Sequence, residues 1–155
     1  MSIASVSIHN LFIQKKISLA VAESCTGGLL ASLLTQLPGS SKYFTLGVVT
    51  YSNNAKSSCL GIPPGTIKKH GAVSREVARR MASSVRRIAA ADFAIGITGI
   101  AGPSGGTPGK PVGTVFIAVA GKKAVLCKKF VFKGIRSRIR LDAAEKSLQL
   151  LKFLL

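Results

Sequence analysis

Short apolar runs alternate with stretches of helical periodicity along this chain, and their order points to the fold. Residues 2–16 carry apolar side chains at Ile3, Val6, Leu11, Phe12 and Ile13 and end on Gln-Lys-Lys. This predicts an amphipathic helix with basic residues in its last turn, laid over a sheet as a cover. Ile17-Ser18-Leu19-Ala20-Val21 predicts a buried strand over 17–22. The helical pattern that follows runs from Thr26 to Gln36, where Pro38-Gly39 stops it. A β-branched run predicts a second strand over 46–51, and Ser52-Asn53-Asn54 offers N-caps for a short helix through Lys56 that ends near Gly61.

Pro63-Pro64-Gly65 then reads as a break. Ser74 is the N-cap of a helix from Arg75 to Ala90, with an apolar stripe of Val77, Ala78, Met81, Val85, Ile88 and Ala89. The run at 93–97 is continuously apolar, as in a strand buried on both faces. A loop rich in Gly and Pro covers 98–111, and long ordered loops in small domains are more often functional than idle. A hairpin of 113–120 and 124–132 turns at Gly121-Lys122. A last helix from Ser137 to Phe153 directs Ile139, Ala143, Leu148, Leu151 and Leu154 to the core. The expected fold is α/β, a three-layer α/β/α sandwich whose mixed sheet includes the C-terminal β-hairpin. In such sheets ligands bind beyond the carboxyl ends of the strands, where the loops at 22–28, 51–56 and 98–111 emerge if their strands run parallel.

A length of 155 residues with 47% hydrophobic content suits a single domain over 1–155 with an ample core. No apolar run reaches the ~18 residues of a membrane span. Lys15 and Lys16 follow the apolar residues of the amino terminus rather than precede them, unlike a secretory signal, so a cytoplasmic protein with no membrane partner is expected. Cys25, Cys59 and Cys127 match neither a disulfide framework nor a zinc spacing and read as reduced thiols. Charge changes the picture more: 22 Lys and Arg face 5 acids, for a formal +17. An anionic partner is implied, either a phosphorylated metabolite or a nucleic acid held only by non-specific charge. The basic residues are spread along the chain, and most Phe lie in strand-like runs, where core packing explains them better than base stacking. With Glu23, Glu76, Asp92, Asp142 and Glu145 as the only acids, a carboxylate-rich metal cage is improbable. A Ser-His-Asp triad is equally hard to build, because His70 is its one plausible base and sits in a Lys-Lys-His-Gly loop.

The chemistry concentrates at 22–28, Ala-Glu-Ser-Cys-Thr-Gly-Gly, where a buried strand turns into a helix and leaves N–H groups free for an anion or oxyanion. Two residues there can attack, Ser24 and Cys25. A serine needs a base, and the candidates are Lys56, whose pKa burial can lower, and Tyr51, which can relay a proton. The N–H groups near Thr26, Gly27 and Gly28 would stabilise a tetrahedral oxyanion, while Thr98 with Gly99 and Gly102 would hold substrate. Glu23 must cap, pair with a cation or touch substrate.

These motifs carry a resemblance. A-E-S-C-T-G-G at 22–28, G-V-V-T-Y-S-N at 47–53 with Lys56, G-A-V-S at 71–74, T-G-I-A-G-P-S-G-G at 98–106 and K-P-V-G-T-V at 110–115 resemble the CinA carboxy-terminal domain family over residues 8 to 150. That family contains the bacterial nicotinamide mononucleotide amidases. The resemblance implies hydrolysis of nicotinamide mononucleotide to nicotinate mononucleotide and ammonia in pyridine nucleotide salvage, with no metal and no cofactor. It implies Ser24 as nucleophile, Tyr51 and Lys56 as its activating partners, and the Thr98 loop in the site. It also implies a stand-alone domain without the amino-terminal pyrophosphatase-associated domain of longer CinA proteins. The chain departs from the pattern before the last helix, where Ile135 stands in place of a common acid, and at Arg75 beside Ser74. Arg136 and Arg140 remain candidates to bind the substrate phosphate as bidentate donors. Apolar surface on the first or last helix suggests a homo-oligomer.

Overall fold

The computed structural model describes residues 3–155. Its elements are α1 (Ile3–Lys15), β1 (Leu19–Glu23), α2 (Leu29–Thr35), β2 (Phe44–Val49), α3 (Asn53–Leu60), α4 (Pro64–His70), α5 (Arg75–Ile88), β3 (Phe93–Gly99), β4 (Thr114–Ala120), β5 (Val125–Val131) and α6 (Arg136–Lys152), with a 3-10 turn at Ser40–Lys42. The five strands form one mixed sheet in the order β2-β1-β3-β4-β5. β1 pairs in parallel with both β2 and β3, and β4 runs antiparallel to β3 and β5. The carboxyl ends of β1, β2, β3 and β5 therefore open onto one edge of the sheet, where the three polar loops meet.

Side-chain alternation along the strands builds two unlike faces. Leu19, Val21, Ile95, Ile97, Val115, Ile117 and Val119 meet α1, α2 and α6 in the larger core. The opposite face presents small residues, Ala20, Ala22, Ala94, Ala118 and Ala120, to the helices α3, α4 and α5. Small residues there let α5 lie close to the sheet. At Gly96 the approach is closest, since a Cβ would stand 2.5 Å from the Ala82 nitrogen and 2.6 Å from the Ala78 carbonyl. Among the described residues no helix is long and apolar enough to cross a membrane.

The differences from the expected elements have physical causes. α4 falls where a break was expected, because Pro64 sits in the first turn, where its missing N–H leaves no hydrogen bond unmade. Lys68, Lys69 and His70 then form its last turn, so His70 ends a helix rather than lying in a loop. α2 begins at Leu29 rather than Thr26, since Gly27 (φ 59°) and Gly28 (φ 92°) adopt left-handed conformations outside the helical region, and Gly28 becomes the N-cap. β2 starts two residues earlier and ends two earlier than the β-branched run suggested. The hairpin turn spans four residues, with Gly121 N–H donating to the Ala124 carbonyl at 2.9 Å. Helix α1 buries Ser5, Ile8, His9 and Phe12, leaving Ile3 exposed. Ile88, the last residue of α5, and Leu154, just beyond α6, are likewise exposed.

Candidate active site

Strand β1 delivers two adjacent residues to the open edge, and they turn opposite ways. Glu23 is fully buried and bends back to α2. Its Oε2 accepts from the N–H groups of Gly28 (3.1 Å) and Leu30 (3.0 Å), and its Oε1 accepts from Ala31 (2.8 Å). A carboxylate at that place answers both the orphan donors of a helix start and the positive end of its dipole. Of the readings open to Glu23, the structure gives it the cap; its carboxylate faces the helix, away from the cleft where substrate contact was expected.

Ser24 faces the other way. Its Oγ accepts from Lys56 Nζ at 2.9 Å, and the same Nζ donates to the Thr50 carbonyl at 2.8 Å. The meeting follows from topology. Parallel pairing of β1 with β2 places Thr50 beside Glu23, its N–H donating to the Glu23 carbonyl at 2.8 Å, and α3 then brings Lys56 back over the strand end. Ser52 fixes the start of α3 by accepting from Ala55 N–H at 3.0 Å. Lys56 is 1% exposed and Ser24 7% exposed. Burial lowers the Lys56 pKa below the ordinary 10.5, against a smaller opposing influence of Cys25. Burial also raises the Cys25 pKa to about 12, so its thiol stays protonated at neutral pH. The arrangement sets a buried amine, whose charged form burial disfavours, against the serine hydroxyl and leaves the cysteine without thiolate character.

The cleft in front of Ser24 has a volume of about 290 Å³ and is walled by Cys25, Tyr51, Gly99, Gly102 and Arg136. That is the lower end of the roughly 300–1,000 Å³ typical of small-molecule sites. Tyr51 lines the cleft but does not join the serine and lysine: its hydroxyl accepts from Arg136 at 2.6 Å and the residue is 59% exposed. Arg136 donates its second nitrogen to the Gly102 carbonyl at 2.7 Å and so ties the loop after β3 to the end of β2. The glycines allow close approach here. At Gly102 (φ 77°) a Cβ would meet Val112 Cγ1 at 2.5 Å, and at Gly99 it would meet the Thr114 carbonyl at 2.8 Å.

Thr98 and Arg140 are drawn away from the roles expected of them. Thr98 is buried and donates its hydroxyl to the Ala72 carbonyl at 2.8 Å, holding the 71–74 loop against the sheet. Arg140 lies one turn beyond Arg136 on α6, and its Nε (3.2 Å) and Nη2 (2.7 Å) both donate to the Thr26 carbonyl. The guanidinium clamps the turn from the outside while Glu23 clamps it from within. Gly27 N–H donates to the Ser24 carbonyl at 3.0 Å and Gly28 N–H to Glu23, so neither is free for an oxyanion. The N–H groups of Cys25 and Thr26 lie beside the Cys25 sulfur and, unlike that of Gly27, donate to no carbonyl of the turn. Sequence reasoning missed the Thr50 carbonyl as the second anchor of Lys56; a backbone acceptor carries no residue signature.

The comparisons with known proteins agree with this fold. Residues 2–155 match the family model described as the CinA C-terminal domain. A CinA-like protein of Geobacter metallireducens is 49% identical over 146 residues, covering 94% of this chain and 35% of the relative. A CinA-like protein of Anaeromyxobacter sp. is 52% identical over 136 residues, covering 88% of this chain and 33% of its own. The chain thus spans about a third of the length of the curated relatives it matches. Among solved structures, the competence/damage inducible protein CihA from Agrobacterium tumefaciens superposes with a TM-score of 0.95 at 39% identity, over 97% of this chain and 93% of that one. A CinA superfamily protein from Escherichia coli gives a TM-score of 0.94 at 34% identity, over 98% of this chain and 88% of that one.

Proposed function

The chain belongs to the CinA C-terminal domain family, and we propose that it is an amidohydrolase that converts nicotinamide mononucleotide to nicotinate mononucleotide and ammonia through Ser24. The observation that carries this reading is the 2.9 Å contact between a buried lysine and a serine at the mouth of a small cleft. A neutral Lys56 accepts the proton of Ser24 as Oγ attacks the carboxamide carbon. The Cys25 and Thr26 N–H groups stabilise the oxyanion. Collapse breaks the C–N bond, and Lys56 returns the proton to the departing nitrogen, which leaves as ammonia. Water, deprotonated by the same lysine, then cleaves the Ser24 ester, releasing the carboxylate and restoring the serine.

Arg136 is the cation best placed to meet a phosphate, since it lines the cleft and is held by Gly102 and Tyr51 through hydrogen bonds that a doubly charged anion outcompetes. Tyr51 in this scheme positions Arg136 rather than acting as the base. The positive charge of the chain raises the local concentration of an anionic substrate. A substrate panel tests the reading. Nicotinamide mononucleotide should be turned over fastest, its dephosphorylated nucleoside more slowly and free nicotinamide slowest; equal rates for all three would contradict a phosphate-dependent site.

A further inference from the structure

The two faces of the sheet differ in charge as well as in side-chain size. On the small-residue face, α4 and α5 together carry seven Lys and Arg and one acid, Glu76. That acid is already taken, since Arg80 donates to its carboxylate at 3.0 Å. Across the sheet, α6 sets Asp142 and Glu145 among its five cations. Of the remaining acids, Glu23 caps α2 and Asp92 meets Lys122 at 2.9 Å. The cations of the α4–α5 face are left without a balancing charge.

Helical periodicity gathers them into a ridge. Val77, Ala78, Met81, Ala82 and Val85 are buried against the sheet, so the arginines share the outer arc of α5. Arg80 and Arg87 lie two turns apart along one flank of that arc. Arg75 and Arg79 lie one turn apart along the other, with the exposed Ser83 between the rows. Arg75 and Arg79 each place one nitrogen on a β5 carbonyl, of Cys127 and Val125, which leaves most of the five donors of each guanidinium for a ligand. Cys127 packs under α5, and alternation along β5 puts the exposed Lys129 on the same side. Among the described residues Arg87 and Lys129 have no partner.

We propose that the outer arc of α5, extended by Lys129, is a docking surface for double-stranded DNA, which it holds by the phosphates without reading the bases. A guanidinium forks onto phosphate oxygens, and two rows of them suit two phosphate strands. A helix is about 10–12 Å across with its side chains, close to the roughly 12 Å width of the major groove of B-form DNA, so the rows of α5 reach the strands on either side. The major groove of an RNA duplex is too narrow for this. Single strands are held by stacking on aromatic rings, and the large aromatics exposed here, Tyr51 and Phe153, lie in the cleft and beyond α6. Along α5 no large apolar side chain is exposed before its last residue, Ile88, so the ridge has little to insert into a lipid surface.

Fluorescence anisotropy of the full chain with a labelled, mixed-sequence DNA duplex tests the proposal between about 0.05 and 0.2 M salt. Engagement of about five phosphates predicts that log K falls with log salt at a slope of about −4 to −5. Arg80→Gln with Arg87→Gln should weaken binding about tenfold or more and make the slope shallower by about 2. Lys42→Gln with Lys152→Gln removes the same charge from exposed sites off this face and should change affinity by less than about three-fold. Ser24→Ala should bind as the wild type does, which separates this surface from the amidase reading. Equal losses in the two double variants would overturn the proposal, leaving only diffuse attraction. Tighter binding of single-stranded DNA, duplex RNA or anionic phospholipid vesicles would overturn it too, as would no detectable duplex binding at the lowest salt.

Discussion

Lys56 Nζ stands 2.9 Å from Ser24 Oγ although 32 residues separate them in sequence. They are brought together by parallel pairing of β1 with β2, by the Thr50 carbonyl that receives the other hydrogen bond of Nζ, and by the Ser52 side-chain cap that starts α3. Substitution at either residue should therefore remove chemistry while leaving the fold. Lys56→Met is expected to lower kcat by about 10²–10⁴-fold with a native circular dichroism spectrum. Activity within a few-fold of wild type would remove Lys56 from the mechanism.

The lowered Lys56 pKa sets the pH dependence. The base is the neutral amine, so kcat/KM should rise with pH through the lowered value and level off below the ordinary 10.5. The same shift acts on stability. The folded chain releases this proton at a lower pH than the unfolded chain, so the unfolded state binds more protons between the two values. The Lys56 contribution to stability therefore rises with pH across that window. Comparing the pH dependence of chemical denaturation in wild type and Lys56→Met should show the slope disappear in the variant.

Cys25 should be chemically silent. With its pKa pushed up to about 12 and its side chain buried, it should resist iodoacetamide near neutral pH, while the exposed Cys59 reacts. Peptide mapping after partial alkylation checks this, and activity should persist when Cys59 is fully labelled. Inactivation that tracks modification of Cys25 would reopen the choice of nucleophile.

Arg136 and Arg140 lie one helical turn apart and should separate kinetically. Arg136→Ala is expected to raise KM for the phosphorylated substrate, because that guanidinium lines the cleft. Arg140→Ala should lower kcat by roughly 10–100-fold with little change in KM, since its hydrogen bonds hold the Thr26 carbonyl and a charged hydrogen bond contributes about 1.5–3 kcal/mol. A purely KM effect from Arg140→Ala would return it to phosphate binding.

The close seat of α5 is testable through Gly96. A Cβ there would stand 2.5 Å from the Ala82 nitrogen, so Gly96→Ala should destabilise the protein by about 1–3 kcal/mol as α5 is forced outward. Thermal denaturation measures it, and an unchanged midpoint would mean that the helix yields freely.

Strand positions and loop placement were legible because each parallel strand is an apolar run closed by small polar residues, whereas the order of the strands in the sheet came only from the structure. The side-chain assignments were less so. Glu23 and Ser24 are neighbours, yet strand alternation sends one into the helix cap and the other into the cleft, and spacing alone does not say which loop each will meet. Thr98 lies beside the loop that walls the cleft, but the strand directs its hydroxyl to Ala72. α4 was hidden by a proline that reads as a breaker and acts as a starter. The face of α1 was obscured because two of its buried positions, Ser5 and His9, are polar.

The most direct test of the account is ammonia release from nicotinamide mononucleotide by the purified wild-type protein, measured beside Ser24→Ala. Steady turnover by the wild type and a loss of at least about 10³-fold in the variant are expected. A folded wild-type protein that releases no ammonia, or a Ser24→Ala variant that keeps pace with it, would contradict the serine amidase reading.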